Sequence, residues 1–363
     1  MKLLVAAIPM PQDWYLKDIQ GGLRADGFIV EHNHEPFWSR SGSYDLVHLH
    51  WPEYLSFEIE SSLSTSLPDD LIRAAIERLD YWRGRARLAI TRHNIRPHTN
   101  DSPTFSRLYE ETYRRCHAVI HMSRWSKEDY LRRYSNAFDA DSQLHSIIPH
   151  PIYSNLPNTV TRNEARKRLR IPADANVMCV FGSITSDRER DLILTAFRRL
   201  RLPRKLLLVS RWREKLRNIK WIKLKYWMRD LDRLYCRWHP RYRFGYSRVE
   251  DADVQLYFNA ADVILTPRIA PLNSGVLVMG MTFGKVVVGA NTGSVGEILQ
   301  DFGNPCFDPA DPESVVKAVL LGFARSASGL GAMNRQRASR EWSLESVVRK
   351  HVELFTHLVR QPS

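Results

Sequence analysis

Three short apolar runs in the first half of the chain are each followed by side chains able to handle a hydroxyl proton. Asp13 follows the first run, within Pro9–Trp14. His50-Trp51-Pro52-Glu53 follows the second, and Arg92-His93-Asn94-Ile-Arg96-Pro-His98 the third. A carboxylate such as Glu53 or Asp13, within hydrogen-bond reach of an acceptor hydroxyl, takes its proton as a general base. His98 is a further candidate for that role. The indole plane of Trp51 can stack on the face of a sugar. Each of these residues also fits a plainer reading as a hydrogen-bonded loop residue. His48 alternates within its run and reads as a satisfied core histidine.

The second half carries groups suited to phosphate. Gly182-Ser183 directly follows the run Val177–Phe181, with a helical pattern starting near Arg188. Glycine lets the backbone approach a ligand closely, and a helix N-terminus offers N–H groups and a favourable dipole. Arg188 and Arg190 add positive charge there. Ser210-Arg211 ends the run Leu206–Val209, where an arginine can neutralise a diphosphate. A further run ends at Thr266-Pro-Arg268, and Asn273-Ser274-Gly275 then opens a helix whose N–H groups and Ser274 hydroxyl can cradle phosphate oxygens. A plain series of strand–helix units with glycine turns accounts for each piece taken singly.

The elements that must position these groups follow from patterning. Lys2–Ile8, Asp45–His50, Ala86–Thr91 and Ala118–Met122 read as buried strands, with helical segments between them. A helix over 14–25 is weakened by Gly21 and Gly22. Val177–Phe181, Leu206–Val209, Val263–Leu265 and Val286–Val288 form a second strand series, with helices expected near 189–200, 253–260, 275–283 and 312–325. Continuous apolar strands alternating with helices indicate α/β layers with parallel sheets covered on both faces. In such sheets, ligands bind outside the carboxyl ends of the strands. The expected division is 1–155 for an N-terminal domain, 156–335 for a C-terminal domain carrying the phosphate-suited groups, and 336–363 for a C-terminal helical segment returning to the first. The linker is expected in the Pro- and Asn-rich 148–158, where His150 also lies near the strand ends. Ser339–Arg360 reads as one helix.

In order and spacing, residues 177–299 resemble the nucleotide-sugar half of GT-B glycosyltransferases. The elements of the match are the Gly182-Ser183 turn, the strand ending at Arg211, LYFNAADV leading to Pro267, LNSG at 272–275, FGKVVV at 283–288, and the glycine-rich turn ending in Glu297. The resemblance is strong there and weaker over the rest of the chain. It implies two facing Rossmann-like, doubly wound parallel-sheet domains with a shared cleft, acceptor binding in the first and nucleotide-sugar binding in the second. It also implies Asn273, Ser274 and Gly275 facing the diphosphate or sugar, Arg188 and Arg211 as paired cations behind it, Glu297 at the ribose or packing its loop, and His93 at the donor. Asp262 reads as structural, at a helix-to-strand corner. In the large retaining family of this clan two glutamates stand eight positions apart before the GK pair; here Pro271 and Met279 occupy those places. The LNSG form is more similar to bacterial exopolysaccharide transferases such as the xanthan-type β-mannosyltransferases, which invert configuration. That resemblance implies GDP-mannose as donor, a lipid-linked or oligosaccharide acceptor, and a role in surface polysaccharide synthesis. A retaining enzyme with an atypical site and a non-catalytic sugar-nucleotide-binding protein are the alternatives.

The chain's 363 residues fit two domains, and 44% hydrophobic with 26% charged residues is an ordinary globular balance. Its net charge of +13 points to an anionic partner. The four cysteines are scattered, which excludes zinc-type spacing and fits a reducing compartment. No metal site is legible, and metal independence is expected, with protein cations in the place of magnesium. The N-terminus reads as a buried strand rather than a signal peptide. Residues 204–248 hold fifteen Lys/Arg against three acids, interleaved with Trp and Tyr. That composition suits the anionic inner face of a membrane, so a cytoplasmic protein peripherally attached there is expected. Single-stranded nucleic acid is the rival partner for such a stretch, but no nucleic-acid-binding motif accompanies it.

Overall fold

A computed structural model describes residues 1–97, 100–212, 235–236 and 238–361. The chain divides into two compact units, one of Met1–Pro151 with Trp342–Ser363 and the other of Ile152–Glu341. Where sequence patterning put boundaries at 155 and 335, the divisions fall after Pro151 and after Glu341.

The first unit runs β1 (Lys2–Val5), α1 (Trp14–Ala25), β2 (Ile29–His32), α2 (Glu35–Ser39), β3 (Leu46–Leu49), α3 (Phe57–Ser61), α4 (Asp69–Arg83), β4 (Arg87–Thr91), α5 (Pro103–Arg115), β5 (Ala118–His121), α6 (Arg124–Tyr134) and β6 (Leu144–Ile147). Its parallel sheet has the order β2-β1-β3-β4-β5-β6. Leu3, Leu4, Leu46, Val47, Leu88, Ile90, Val119 and Ile120 are buried in layers on both faces, which is why these strands read as continuous apolar runs. Strand order reverses between β1 and β3, so the crevice of this sheet lies beyond the residues that follow those two strands. There the loops are tied together by Ile8 N–H donating to the Tyr54 carbonyl at 2.8 Å.

The second unit runs α7 (Arg162–Arg168), β7 (Asn176–Ser183), α8 (Asp187–Arg199), β8 (Lys205–Arg211), β9 (Tyr242–Phe244), α9 (Asp251–Ala260), β10 (Val263–Leu265), α10 (Gly275–Thr282), β11 (Val286–Ala290), α11 (Gly293–Asp301), β12 (Cys306–Phe307), α12 (Pro312–Ala327) and α13 (Leu330–Glu341). Its sheet order is β12-β11-β10-β7-β8-β9, again parallel, with the reversal between β7 and β10. Asp262 locks the corner between α9 and β10. Its carboxylate accepts from Arg162 at 2.7 Å, Arg166 at 2.9 Å and the Val177 N–H at 2.8 Å.

α14 (Leu344–Arg360) then returns to the first unit, burying Val347, Phe355 and Leu358 against α1 and β1. The single helix expected over 339–360 is in fact two, because Ser343 caps α14 by accepting from the Ser346 N–H and breaks the run after Glu341. α1 keeps its helix through Gly21 and Gly22. A side chain at 22 would collide with Val348 of α14, so the glycine serves close helix packing, whereas position 21 faces open space. Among the described residues, no single helix is long and apolar enough to cross a membrane.

Candidate functional site

The reversal of strand order in the second unit brings the ends of β10, β7 and β8 side by side, and each end carries a polar group. β7 bulges between Val180 and Ser183, where Gly182 adopts a left-handed φ of +85° that disfavours any side chain. The Gly182 N–H donates to Ser210 Oγ of β8 at 2.8 Å. Arg211, at the end of β8, donates to Ser183 Oγ at 3.1 Å. From the other flank, Arg268 donates to the Ser183 carbonyl at 3.3 Å, to Thr185 Oγ1, and to Glu189 Oε1 at 2.9 Å. Glu189 is buried at the start of α8, where its other oxygen accepts from the Thr185 N–H at 2.8 Å. Two guanidinium groups therefore converge on one exposed serine at the switch point of the sheet, and a buried carboxylate braces one of them.

α10 points its N-terminus at the same place. Ser274 is its N-cap, with Oγ accepting from the Leu277 N–H at 3.3 Å, which leaves the hydroxyl proton able to donate to an anion. Gly275 lies under the Tyr153 hydroxyl with no room for a side chain, and Val276 of the same turn is the group nearest Gly182. Asn273 is half-buried beside them. Pro271 and Met279 stand at the near and far ends of this first stretch. The Pro271 carbonyl is packed on Gly293, whose φ is +60°. The loops after β10 and β11 are joined by Thr292 Oγ1 donating to the Ile269 carbonyl and the Ser294 N–H to that of Leu272, both at 3.1 Å. Glu297 rides half-buried on α11 behind that junction.

Arg188 departs from its expected place. It is exposed on α8 and turned toward the Pro309 carbonyl at 3.4 Å, beside Asp191 and Arg199 rather than Ser183. Arg190 is buried against Asp191 at 2.7 Å. Helical periodicity explains both, because residues two and four positions past the N-cap Ser186 look away from the strand end while Glu189, three past it, looks toward it. The cation paired with Arg211 is instead Arg268. Sequence reasoning stopped short of giving it a role, although it meets the same criterion as Arg211, a cation directly after a buried strand.

In the first unit the crevice beside β1 and β3 is filled by rings. His50 Nδ1 and His93 Nε2 share a hydrogen bond at 2.9 Å, both rings being buried. Trp51 stacks on His93 at 4.0 Å with 22° between planes, so one face of the indole holds the histidine. Tyr15 meets His93 edge-on at 5.0 Å and lies 5.0 Å from His150. Burial pushes His50 and His93 well below the ordinary histidine range and His150 down to about 4. His48, as its alternation implied, is buried and bonded to Thr91 Oγ1 at 2.8 Å.

The two carboxylates fare differently. Asp13 caps α1 by accepting from the Leu16 N–H at 2.9 Å, and burial raises its pKa. Glu53 does not face the crevice. It is 3% exposed, in a single 3₁₀ turn over Pro52–Tyr54, and accepts from the Tyr109 hydroxyl of α5 at 2.6 Å. Burial pushes it up to about 7. Its carboxylate is thus held inside the core by Tyr109. Arg92 likewise turns inward to Asp129 at 2.6 Å. His98 lies outside the described residues.

Two parallel six-stranded sheets of this order, each with polar groups gathered at its switch point, define the GT-B fold. No protein-family model and no curated protein sequence matches the chain. Solved structures match it in fold over nearly their whole length. Sucrose-phosphate synthase of Thermosynechococcus elongatus is similar with a TM-score of 0.69 and 16% identity, covering 98% of each chain. Anabaena Alr3699/HepE in complex with UDP gives 0.70 at 15% identity, covering 98% of this chain and 99% of its own. The Escherichia coli trehalose-6-phosphate protein bound with UDP-2-fluoro glucose gives 0.64 at 12%, covering all of both chains.

Proposed function

We propose that the chain is a glycosyltransferase moving a hexosyl group from a nucleoside-diphosphate sugar to a hydroxyl acceptor. The observation that carries this reading is the convergence of Arg211, Arg268 and the α10 N-terminus on the Gly182–Ser183 bulge. Fixed cations and N–H dipoles placed where the departing diphosphate gains charge lower the barrier without reorganising at the moment of reaction. With those charges supplied by the protein, turnover is expected to persist in EDTA, and its loss there would overturn metal independence.

For the donor, the sequence resemblance favours GDP-mannose, while HepE holds UDP and UDP-glucose in its solved complexes. We take the uridine donor as the reading, because the likeness in fold spans both units and the sequence resemblance is strong only over 177–299. A thermal-shift panel of UDP, GDP, ADP and dTDP tests it. A ligand that binds only the folded state raises the melting temperature with concentration. A shift by UDP is expected, a shift by GDP alone restores the mannose reading, and no nucleotide shift at all overturns the transferase.

Inversion requires a base in the first unit. With Glu53 committed to Tyr109, Asp13 is the carboxylate that supports this role: it follows β1 beside the switch point, and its raised pKa suits proton transfer. Asp13→Asn is expected to abolish turnover and spare UDP binding. A variant that stays active and yields product with the donor's anomeric configuration overturns inversion.

The acceptor is proposed to be lipid-linked, with the protein at an anionic membrane face. Residues 213–234 and 237 of the basic stretch lie outside the described residues, but Trp238 is 82% and Tyr235 53% exposed at its edge. Trp212 and Tyr242 are buried and belong to the core. Sedimentation with vesicles containing phosphatidylserine at low salt tests the attachment, and a protein that stays in the supernatant overturns it.

A further inference from the structure

We propose that His50 is a positioning residue for His93, tying the protonated nitrogen of His93 to its own tautomer and so setting what that ring presents in the donor role that the sequence resemblance implies for it. The inference rests on the transferase reading for its consequence in turnover, but the positioning itself can be read without any reaction.

The geometry leaves little freedom. His50 Nδ1 and His93 Nε2 lie 2.9 Å apart in a crevice where both rings are buried. A nitrogen–nitrogen hydrogen bond between imidazoles needs one donor and one acceptor. A proton on His50 Nδ1 makes His93 Nε2 the acceptor and places the His93 proton on Nδ1, and the opposite arrangement reverses both rings together. Neither ring can turn to escape the coupling. Trp51 stacks on His93 at 4.0 Å, Tyr15 abuts its edge at 5.0 Å, and His48 lies 4.1 Å from the His50 ring. The neutral state of both rings agrees with this, since burial disfavours a second proton on the pair. His48 is itself tied to Thr91 on the neighbouring strand, and His50 lies two residues on along the same chain. The strand pairing of β3 with β4 therefore sets the distance between the two histidines.

The test uses the full chain with ¹⁵N-labelled histidine. The His93 signals are assigned by their loss in His93→Gln, and long-range ¹⁵N–¹H spectra report the tautomer. Wild type is expected to show a single His93 tautomer. His50→Phe keeps ring volume and removes Nδ1, and should give a tautomer mixture with a kcat at least about tenfold lower and a donor KM within about threefold. His50→Asn places an amide group where Nδ1 was, and should restore the single tautomer and most of kcat. An unchanged His93 spectrum in His50→Phe overturns the proposal, as does an Asn variant with the disturbed tautomer and rate of the Phe variant. If His50→Phe does not fold, the spectrum and KM-against-kcat split of His50→Asn decide alone: wild-type values support positioning, and a disturbed tautomer overturns it. If wild type turns over no nucleotide sugar, the transferase reading fails while the spectra still decide the positioning.

Discussion

Arg268 answers to three partners at once, the Ser183 carbonyl, the Thr185 hydroxyl and Glu189, and the balance among them sets what its loss should cost. It is ion-paired with the buried Glu189 at 2.9 Å and bonded to the Ser183 carbonyl, while about a third of its side chain remains open to solvent. Its neighbour Arg211 donates to the Ser183 hydroxyl and is half-buried. Hydrogen bonds to charged groups contribute about 1.5–3 kcal/mol, a figure reduced by solvent at the open edge. Arg211→Ala is therefore expected to weaken UDP binding about tenfold. Arg268→Lys should weaken it by a similar factor while keeping a cation beside Glu189, since lysine loses the planar fork but not the charge. Glu53→Gln, in the core of the other unit, should leave nucleotide affinity unchanged. Titration calorimetry checks all three, and equal losses would break the assignment of nucleotide binding to the second unit. At this scale the residue types were legible in advance. The orientations were not, because Glu53 is claimed by a tyrosine 56 residues away and Arg268 by a glutamate 79 residues away.

Among the elements, α1 shows how a weak propensity survives in context. Gly21 and Gly22 each cost about 1 kcal/mol relative to alanine in a helix interior, yet the helix runs unbroken from Trp14 to Ala25. Its buried face of Tyr15, Leu16, Ile19 and Leu23 packs on the sheet and α14, and the gap at Gly22 admits Val348. Gly22→Ala should therefore destabilise the protein, by about 1–3 kcal/mol of overpacking that outweighs the gain in propensity. Gly21→Ala should be neutral or stabilising. Urea midpoints of the two variants check this, and a stabilised Gly22→Ala would mean that α1 and α14 do not pack as described. Among the elements that patterning missed are the short edge strands β2, β6, β9 and β12 and the helices α7 and α11. β2 is IVEH with no residue fully buried, so it carries no apolar run to read. α13 was missed for a similar reason, its buried positions being Gly331, Asn334 and Ala338 rather than large hydrophobes.

For the molecule as a whole, the buried histidines predict how stability varies with acidity. His48, His50 and His93 are held well below their ordinary pKa, His150 and His351 at about 4, and His121 at about 2, all in the first unit and all chiefly through burial. The unfolded chain takes up these protons near pH 6.5, whereas the folded chain resists them to lower pH, about 4 for His150 and His351. Stability is therefore intact above the unfolded value and falls as pH drops from about 6.5 toward 4. Glu53 works the other way. Its folded value of about 7 lies above the unfolded 4.5, so its contribution is lost as pH rises between those values. The lowered histidines outnumber the raised carboxyls Glu53 and Asp13, and the denaturation midpoint of the first unit is expected to fall as pH is lowered from 7 to 5. A midpoint that is flat or rises over that range would refute the neutral histidine cluster. Lys285 in the second unit, lowered to about 8 by burial, gains stability only between about pH 8 and 10.5 and leaves the acid window to the first unit.

The sequence by itself determined the α/β class, the alternation of parallel strands with helices, and the loops that had to carry polar chemistry. Each follows from local sterics and the period of burial, which a chain displays residue by residue. Tertiary structure alone decided which of those polar groups meet. The reversal of strand order between β7 and β10 set Arg268 beside Arg211, the pairing of β3 with β4 set His50 on His93, and the return of α14 closed the first unit with residues from the far end of the chain. These are contacts between segments far apart in sequence, selected by packing and charge pairing in three dimensions, and no local period encodes them.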